Sequence, residues 1–181
     1  MVITMAEGVF SRKWGMRLVF SLLCVIFILL KLTPFSTAPQ LWSGPDLMVV
    51  LCLAWAVRQP DYTPPLLVAL VFLLADFLFL RPPGLGAFMM VIGVELLRRR
   101  APALRDATFV TEWATVAALM ILMPIVARLI LMLFFLDRPS LGLTLIQVIM
   151  NIAIYPFVVL LSQTLFGVRR QAARDATLGA V

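Results

Sequence analysis

The sequence predicts an all-α fold, a polytopic bundle with six helices crossing a membrane, and three observations predict it. Of 181 residues, 63% are hydrophobic and 13% charged, and the mean hydropathy is +1.07. Soluble domains run at roughly half apolar and a quarter charged. Apolar runs at residues 16–30, 47–57, 65–80, 85–97, 111–136 and 141–166 are separated by turn residues and charges. Finally, Lys and Arg cluster at alternate ends of those runs, which is how cytoplasmic loops are marked. The net charge of +6 is therefore topological, and no basic stripe on a soluble surface points to nucleic acid.

The first run follows Arg12, Lys13 and Arg17, and Ser36-Thr37-Ala38 resembles a signal cleavage site. Pro39 is a poor residue to follow cleavage, so an uncleaved span is expected. The second and fourth runs, at 11 and 13 residues, fall short of a hydrocarbon core roughly 30 Å thick at about 1.5 Å per residue. Leu41 and Trp42 before the second, and snorkelling arginines after the fourth, extend their reach. Pro-rich turns at Pro34, Pro60, Pro64-Pro65 and Pro82-Pro83 mark helix ends, while Pro124 and Pro156 fall inside spans.

With six spans and a cytoplasmic N-terminus, eleven cations face the cytoplasm: Arg12, Lys13, Arg17, Arg58, Arg98, Arg99, Arg100, Arg105, Arg169, Arg170 and Arg174. Three, Lys31, Arg81 and Arg138, face the other side. Four spans, without the two short runs, exchange only Arg58 for Arg81 and score equally, so charge favours an even number. No internal linker divides the chain, giving a cytoplasmic segment at 1–15, a bundle at 16–167 and a cytoplasmic tail at 168–181.

Within the apolar runs the polar residues stand out. Asp76 in the third span and Arg128 in the fifth share a depth, and either charge alone is costly there, so they are expected to pair. The pair is either a structural lock or part of a pocket. Asp46 after Gly44-Pro45 is expected to cap the second helix, and Glu112 the fifth. Glu95 with Arg98 and Arg99 forms an i, i+3/i+4 surface set. Thr144, Gln147, Asn151 and Tyr155 make a polar stripe on one face of the sixth span, which packs inside the bundle or meets a partner helix. Gly86 and Gly93 share a face of the fourth span, and their lack of bulk makes that face the expected docking site for a foreign helix.

Chemistry is scarce. The chain has no histidine, no phosphate loop, no metal-ligand spacing and no nucleophile elbow. Cys24 and Cys52 both lie in apolar runs, where a disulfide is not expected. No enzymatic activity, cofactor or metal is expected.

Three segments taken together resemble the rod shape-determining protein MreD family. They are Gly44-Pro45-Asp46 with Leu53-Ala54-Trp55-Ala56-Val57-Arg58-Gln59-Pro60; Leu74-Ala75-Asp76-Phe77-Leu78 through Pro83-Gly84-Leu85-Gly86; and Asn151-Ile152-Ala153-Ile154-Tyr155-Pro156. The most specific part is Asp76 with the Leu-Gly turn about nine residues on, and Arg128 is outside the pattern. The resemblance implies a non-enzymatic subunit of the bacterial cell-elongation complex, multi-pass in the inner membrane. It implies contact with an MreC-like bitopic scaffold and, through it, with MreB-like filaments, a RodA-like glycan polymerase and a class B penicillin-binding transpeptidase in peptidoglycan synthesis. A homodimer stays open. The family is also similar in architecture to the six-helix substrate-binding subunits of energy-coupling-factor transporters, so the alternative is a vitamin- or micronutrient-binding subunit. Such a site wants aromatic and polar groups converging in the outer half, where Trp42, Asp46, Asp76 and Arg128 are the available set.

Overall fold

The computed structural model describes residues 2–33, 44–105, 107–136 and 140–168. Trp42, Arg138, Arg169, Arg170, Arg174 and the cleavage-like Ser36-Thr37-Ala38 lie outside them. Six α-helices and no strand occur among the described residues: α1 Val2–Leu32, α2 Leu47–Arg58, α3 Pro65–Leu78, α4 Leu85–Arg105, α5 Phe109–Leu133 and α6 Leu141–Phe166. Each apolar run thus became a helix. α1 starts 14 residues before its run because residues 2–15 contain no proline, and polar side chains do not stop a helix. α4 likewise continues through its arginines, past Pro102, to Arg105.

Three stretches are long and apolar enough to cross a membrane: Arg12–Leu32, Phe109–Leu133 and Leu141–Phe166. α4 has 21 residues, but its last third is arginine-rich. α2 and α3, with 12 and 14 residues, reach only about 18 and 21 Å.

The short α2 lies at the centre. Every residue from Val50 to Arg58 is buried, as a helix apolar on all sides requires. It packs on α1, α4, α5 and α6, and the outer helices pack in the order α1–α3–α4–α5–α6. Trp55 is wholly buried, with ring centroids 5.8 Å from Phe20, 5.7 Å from Phe166 and 6.1 Å from Tyr62. The outer faces carry an apolar belt, with Leu22 of α1, Leu70 of α3, Leu129 of α5 and Leu160 of α6 all more than half exposed. Water does not tolerate continuous surface of this kind; lipid does.

Contacts between helix ends show how the chain alternates. Lys13 on α1 bridges Asp61 in the α2–α3 turn at 2.7 Å, and Arg17 Nε donates to the Asp61 carbonyl at 3.0 Å. At the other end of α1, Lys31 bridges Asp46, which precedes α2, at 2.8 Å. α2 therefore runs the described apolar length of α1 in the opposite direction. Arg58 at the end of α2 meets Glu112 at the start of α5. The end carrying Lys13, Arg17 and Arg58 is called the basic end below.

Candidate functional site

The polar residues form three contacts that tie helix to helix. The first seats Asp76, which is 2% exposed. Its Oδ2 accepts from the backbone N–H of Gly84 at 3.2 Å and of Ala87 at 3.1 Å. These amides open α4, where four N–H groups lack intrahelical acceptors and the dipole is positive. α3 ends with Leu80 in the left-handed region, φ 52, and the Arg81 N–H returns to the Asp76 carbonyl at 3.0 Å. That turn brings the start of α4 back beneath the carboxylate. A Cβ at Gly86 would collide with Asp76 Oδ1, so the missing side chain is what lets the carboxylate sit there.

The expected pairing of Asp76 with Arg128 is corrected. α3 packs on α4 and α1, whereas α5 packs on α4 and α6, and the carboxylate is satisfied by amides next in sequence. Shared depth did not bring the two side chains together. Arg128 is half-buried on α5.

The second contact lies at the end opposite the basic one. Asp46 occupies the N-cap position of α2, but its side chain makes no capping hydrogen bond, which corrects the capping expectation. The carboxylate accepts from Lys31 Nζ at 2.8 Å instead. The Asp46 N–H donates to Asn151 Oδ1 of α6 at 2.7 Å. Lys31 also lies 5.1 Å from the Phe79 ring centre, and Arg81 lies 5.3 Å from the same ring.

The third contact was not foreseen. Glu112, wholly buried, accepts from Arg58 Nε at 2.9 Å, from Arg58 Nη2 at 3.3 Å and from the Tyr155 hydroxyl at 2.7 Å. Arg58 is 4% exposed, and its Nη1 has no partner. Glu112 is thus no cap: Thr108 caps α5 by accepting from the Thr111 N–H at 3.4 Å. A signal for this triad existed. Arg58 closes one span and Glu112 opens another at the same end, so a shared depth pairs these two charges as well. Nearby, Trp55 Nε1 donates to Ser162 Oγ at 3.1 Å, linking α2 to α6 again.

The polar stripe of α6 therefore divides. Asn151 and Tyr155 are buried and bonded inside the bundle, whereas Gln147 is half-buried and makes no hydrogen bond among the described residues. The docking face expected on the glycines is also corrected. Gly86 abuts Asp76, and a Cβ at Gly93 would lie 3.1 Å from Met123 Sδ and 3.7 Å from Leu53 Cδ2. Both glycines serve close packing within the fold.

Among the described residues no group of three or more His, Cys, Asp or Glu could hold a metal ion, and Cys24 and Cys52 are buried, free thiols. Nothing matches the chain among protein-family models, curated proteins or solved structures.

Proposed function

We propose that the protein is a non-enzymatic, multi-pass subunit of the bacterial cell-elongation machinery, of the MreD kind, which binds an MreC-like bitopic scaffold in the inner membrane. The observation that carries this reading is the seating of Asp76 on the amides of Gly84 and Ala87 over Gly86. The aspartate and the Leu-Gly turn, the most specific part of the resemblance, are mutually dependent parts of one joint. Two of the other segments that carry the resemblance also meet, through the Asp46 N–H and Asn151 Oδ1. In each contact the polar groups bind other helices of the same chain, as in a protein whose work is to hold shape and present faces rather than to transform a substrate.

In this reading all six helices cross the membrane, with both termini in the cytoplasm. The bridges from Lys13 to Asp61 and from Lys31 to Asp46 support that arrangement, because they bracket α2 between the two ends of α1. α2 can be short because it faces protein, so no lipid thickness dictates its length. The vitamin-subunit alternative needs unengaged groups converging in the outer half, whereas Asp46 and Asp76 are already held by Lys31 and by backbone amides.

The test is depletion of the protein in its rod-shaped host, with a tagged copy for rescue. Rounding of the cells, and co-purification of a scaffold with one membrane anchor, are the expected results. Unchanged rods with no such scaffold, or a small molecule retained stoichiometrically by the purified protein, would overturn the reading.

A further inference from the structure

At the end of the bundle opposite the basic one, two cations share one aromatic ring. Lys31, in the last turn of α1, has its Nζ 5.1 Å from the centre of the Phe79 ring, and the Arg81 guanidinium lies 5.3 Å from the same centre. Phe79 follows α3, which packs on α1, so the ring sits where two helix ends meet. The negative face of an aromatic ring attracts cations, and that attraction offsets part of the repulsion between two like charges held close together.

The carboxylates at this end stand behind the cations. Lys31 is bridged to Asp46, but the lysine side chain is 38% exposed and the aspartate side chain 12%. Asp76 is buried and engaged by the amides of Gly84 and Ala87. Arg81 is exposed and makes no salt bridge among the described residues. These two cations and two carboxylates cancel in number, yet it is the cations that are presented outward. Just inside them the surface turns apolar: Leu29 of α1 and Phe77 of α3 are more than half exposed, and Leu80 is almost wholly so. Cations above an exposed apolar surface match, in order of depth, the phosphate and the acyl chains of a lipid.

We propose that Lys31 and Arg81, held on the Phe79 ring, bind the phosphate of one anionic phospholipid in the leaflet at this end, with its acyl chains along Leu29 and Phe77. Lys31 keeps two N–H donors after bridging Asp46, and Arg81 keeps its guanidinium fork, so the phosphate oxygens can be met by both side chains. The ring and Asp46 hold the cations in place before the lipid arrives, which lowers the ordering cost of binding. A choline headgroup brings its own cation against the pair, so the site selects a headgroup with net negative charge, such as glycerol phosphate. The site stands on the apolar belt of the bundle and requires no partner protein.

The experiment uses the full-length protein, delipidated in detergent and titrated with phosphatidylglycerol or with phosphatidylcholine of the same chains, with bound lipid counted by native mass spectrometry. One phosphatidylglycerol retained in preference to phosphatidylcholine is the expected result. Arg81→Gln, at a side chain that makes no hydrogen bond within the fold, should weaken that binding about tenfold, the size of one charge-assisted contact. Phe79→Leu, which removes the ring and neither charge, should weaken it about threefold. Arg100→Gln, an exposed arginine of α4 at the basic end, should leave it unchanged. Equal retention of the two lipids would overturn the proposal, as would equal losses from Arg81→Gln and Arg100→Gln. Displacement of the lipid by millimolar inorganic phosphate would show a phosphate site that does not read the acyl chains, and would overturn it too.

Discussion

Asp76 and Gly86 are better understood together than apart. Removing the carboxylate strands two amides at the start of α4 and should cost about 1–3 kcal/mol. Gly86→Ala should cost a similar amount, because the new methyl meets the carboxylate. With Asp76→Ala in place that collision is gone, so the double substitution should cost clearly less than the two singles added. A thermodynamic cycle on detergent-purified protein measures this, and strict additivity would contradict the described geometry. The Arg58, Glu112 and Tyr155 contact makes a second residue-scale prediction. Glu112→Leu leaves a buried guanidinium uncompensated and should destabilise by about 3–5 kcal/mol, while Arg58→Met combined with Glu112→Leu should recover much of that loss. Chemical denaturation reads both variants, and a double variant less stable than the single would refute the pairing.

At the scale of the element, α2 is the exception. Periodicity reads a short apolar run as a weak span, but burial on every side makes it the central packing element. Ala54 and Ala56 are both wholly buried, and they let the neighbouring helices approach closely. Ala54→Leu should therefore cost about 1–3 kcal/mol through overpacking, whereas Leu70→Ala on the exposed face of α3 should be nearly neutral. Thermal unfolding of the two variants side by side is the check, and equal effects would remove α2 from the centre. Helix ends teach a related lesson. α5, like α3, closes on a bulky residue in the left-handed region, Phe135 at φ 54, while α6 closes on Gly167. Leu80→Gly should relieve roughly 1 kcal/mol of backbone strain at a side chain that is 93% exposed and packs on nothing that would be lost.

For the whole molecule, the prediction is topological. Six crossings put the α2–α3 turn at Asp61 in the cytoplasm and the α3–α4 turn at Gly84 in the periplasm, whereas four crossings reverse the side of both. Single cysteines at Asp61 and at the exposed Arg81, in a variant lacking Cys24 and Cys52, should react with an impermeant thiol reagent from the cytoplasmic and periplasmic sides respectively. Periplasmic labelling at position 61 would remove the six-span arrangement. The bridge between Lys13 and Asp61 is the contact that makes the cytoplasmic outcome expected.

The amino-acid sequence by itself determined that the chain is helical, where each helix lies to within a few residues over its apolar length, and which ends carry the cations. Those properties are local: hydropathy, proline and charge act through neighbouring residues and through the solvent each segment meets. It also singled out the polar residues that mattered, because a carboxylate or amide in an apolar run needs a reason. Only the tertiary structure decided whom each of them meets. Asp76 has its amides eight and eleven residues ahead, but Arg58 reaches Glu112 across 54 positions and Asp46 reaches Asn151 across 105. Depth alone admitted several pairings, and helix adjacency chose among them: α4 lies against α3 and supplies Asp76, while the burial of α2 brings Arg58 to α5. The same adjacency turned two glycines that looked like an open docking face into packing surfaces.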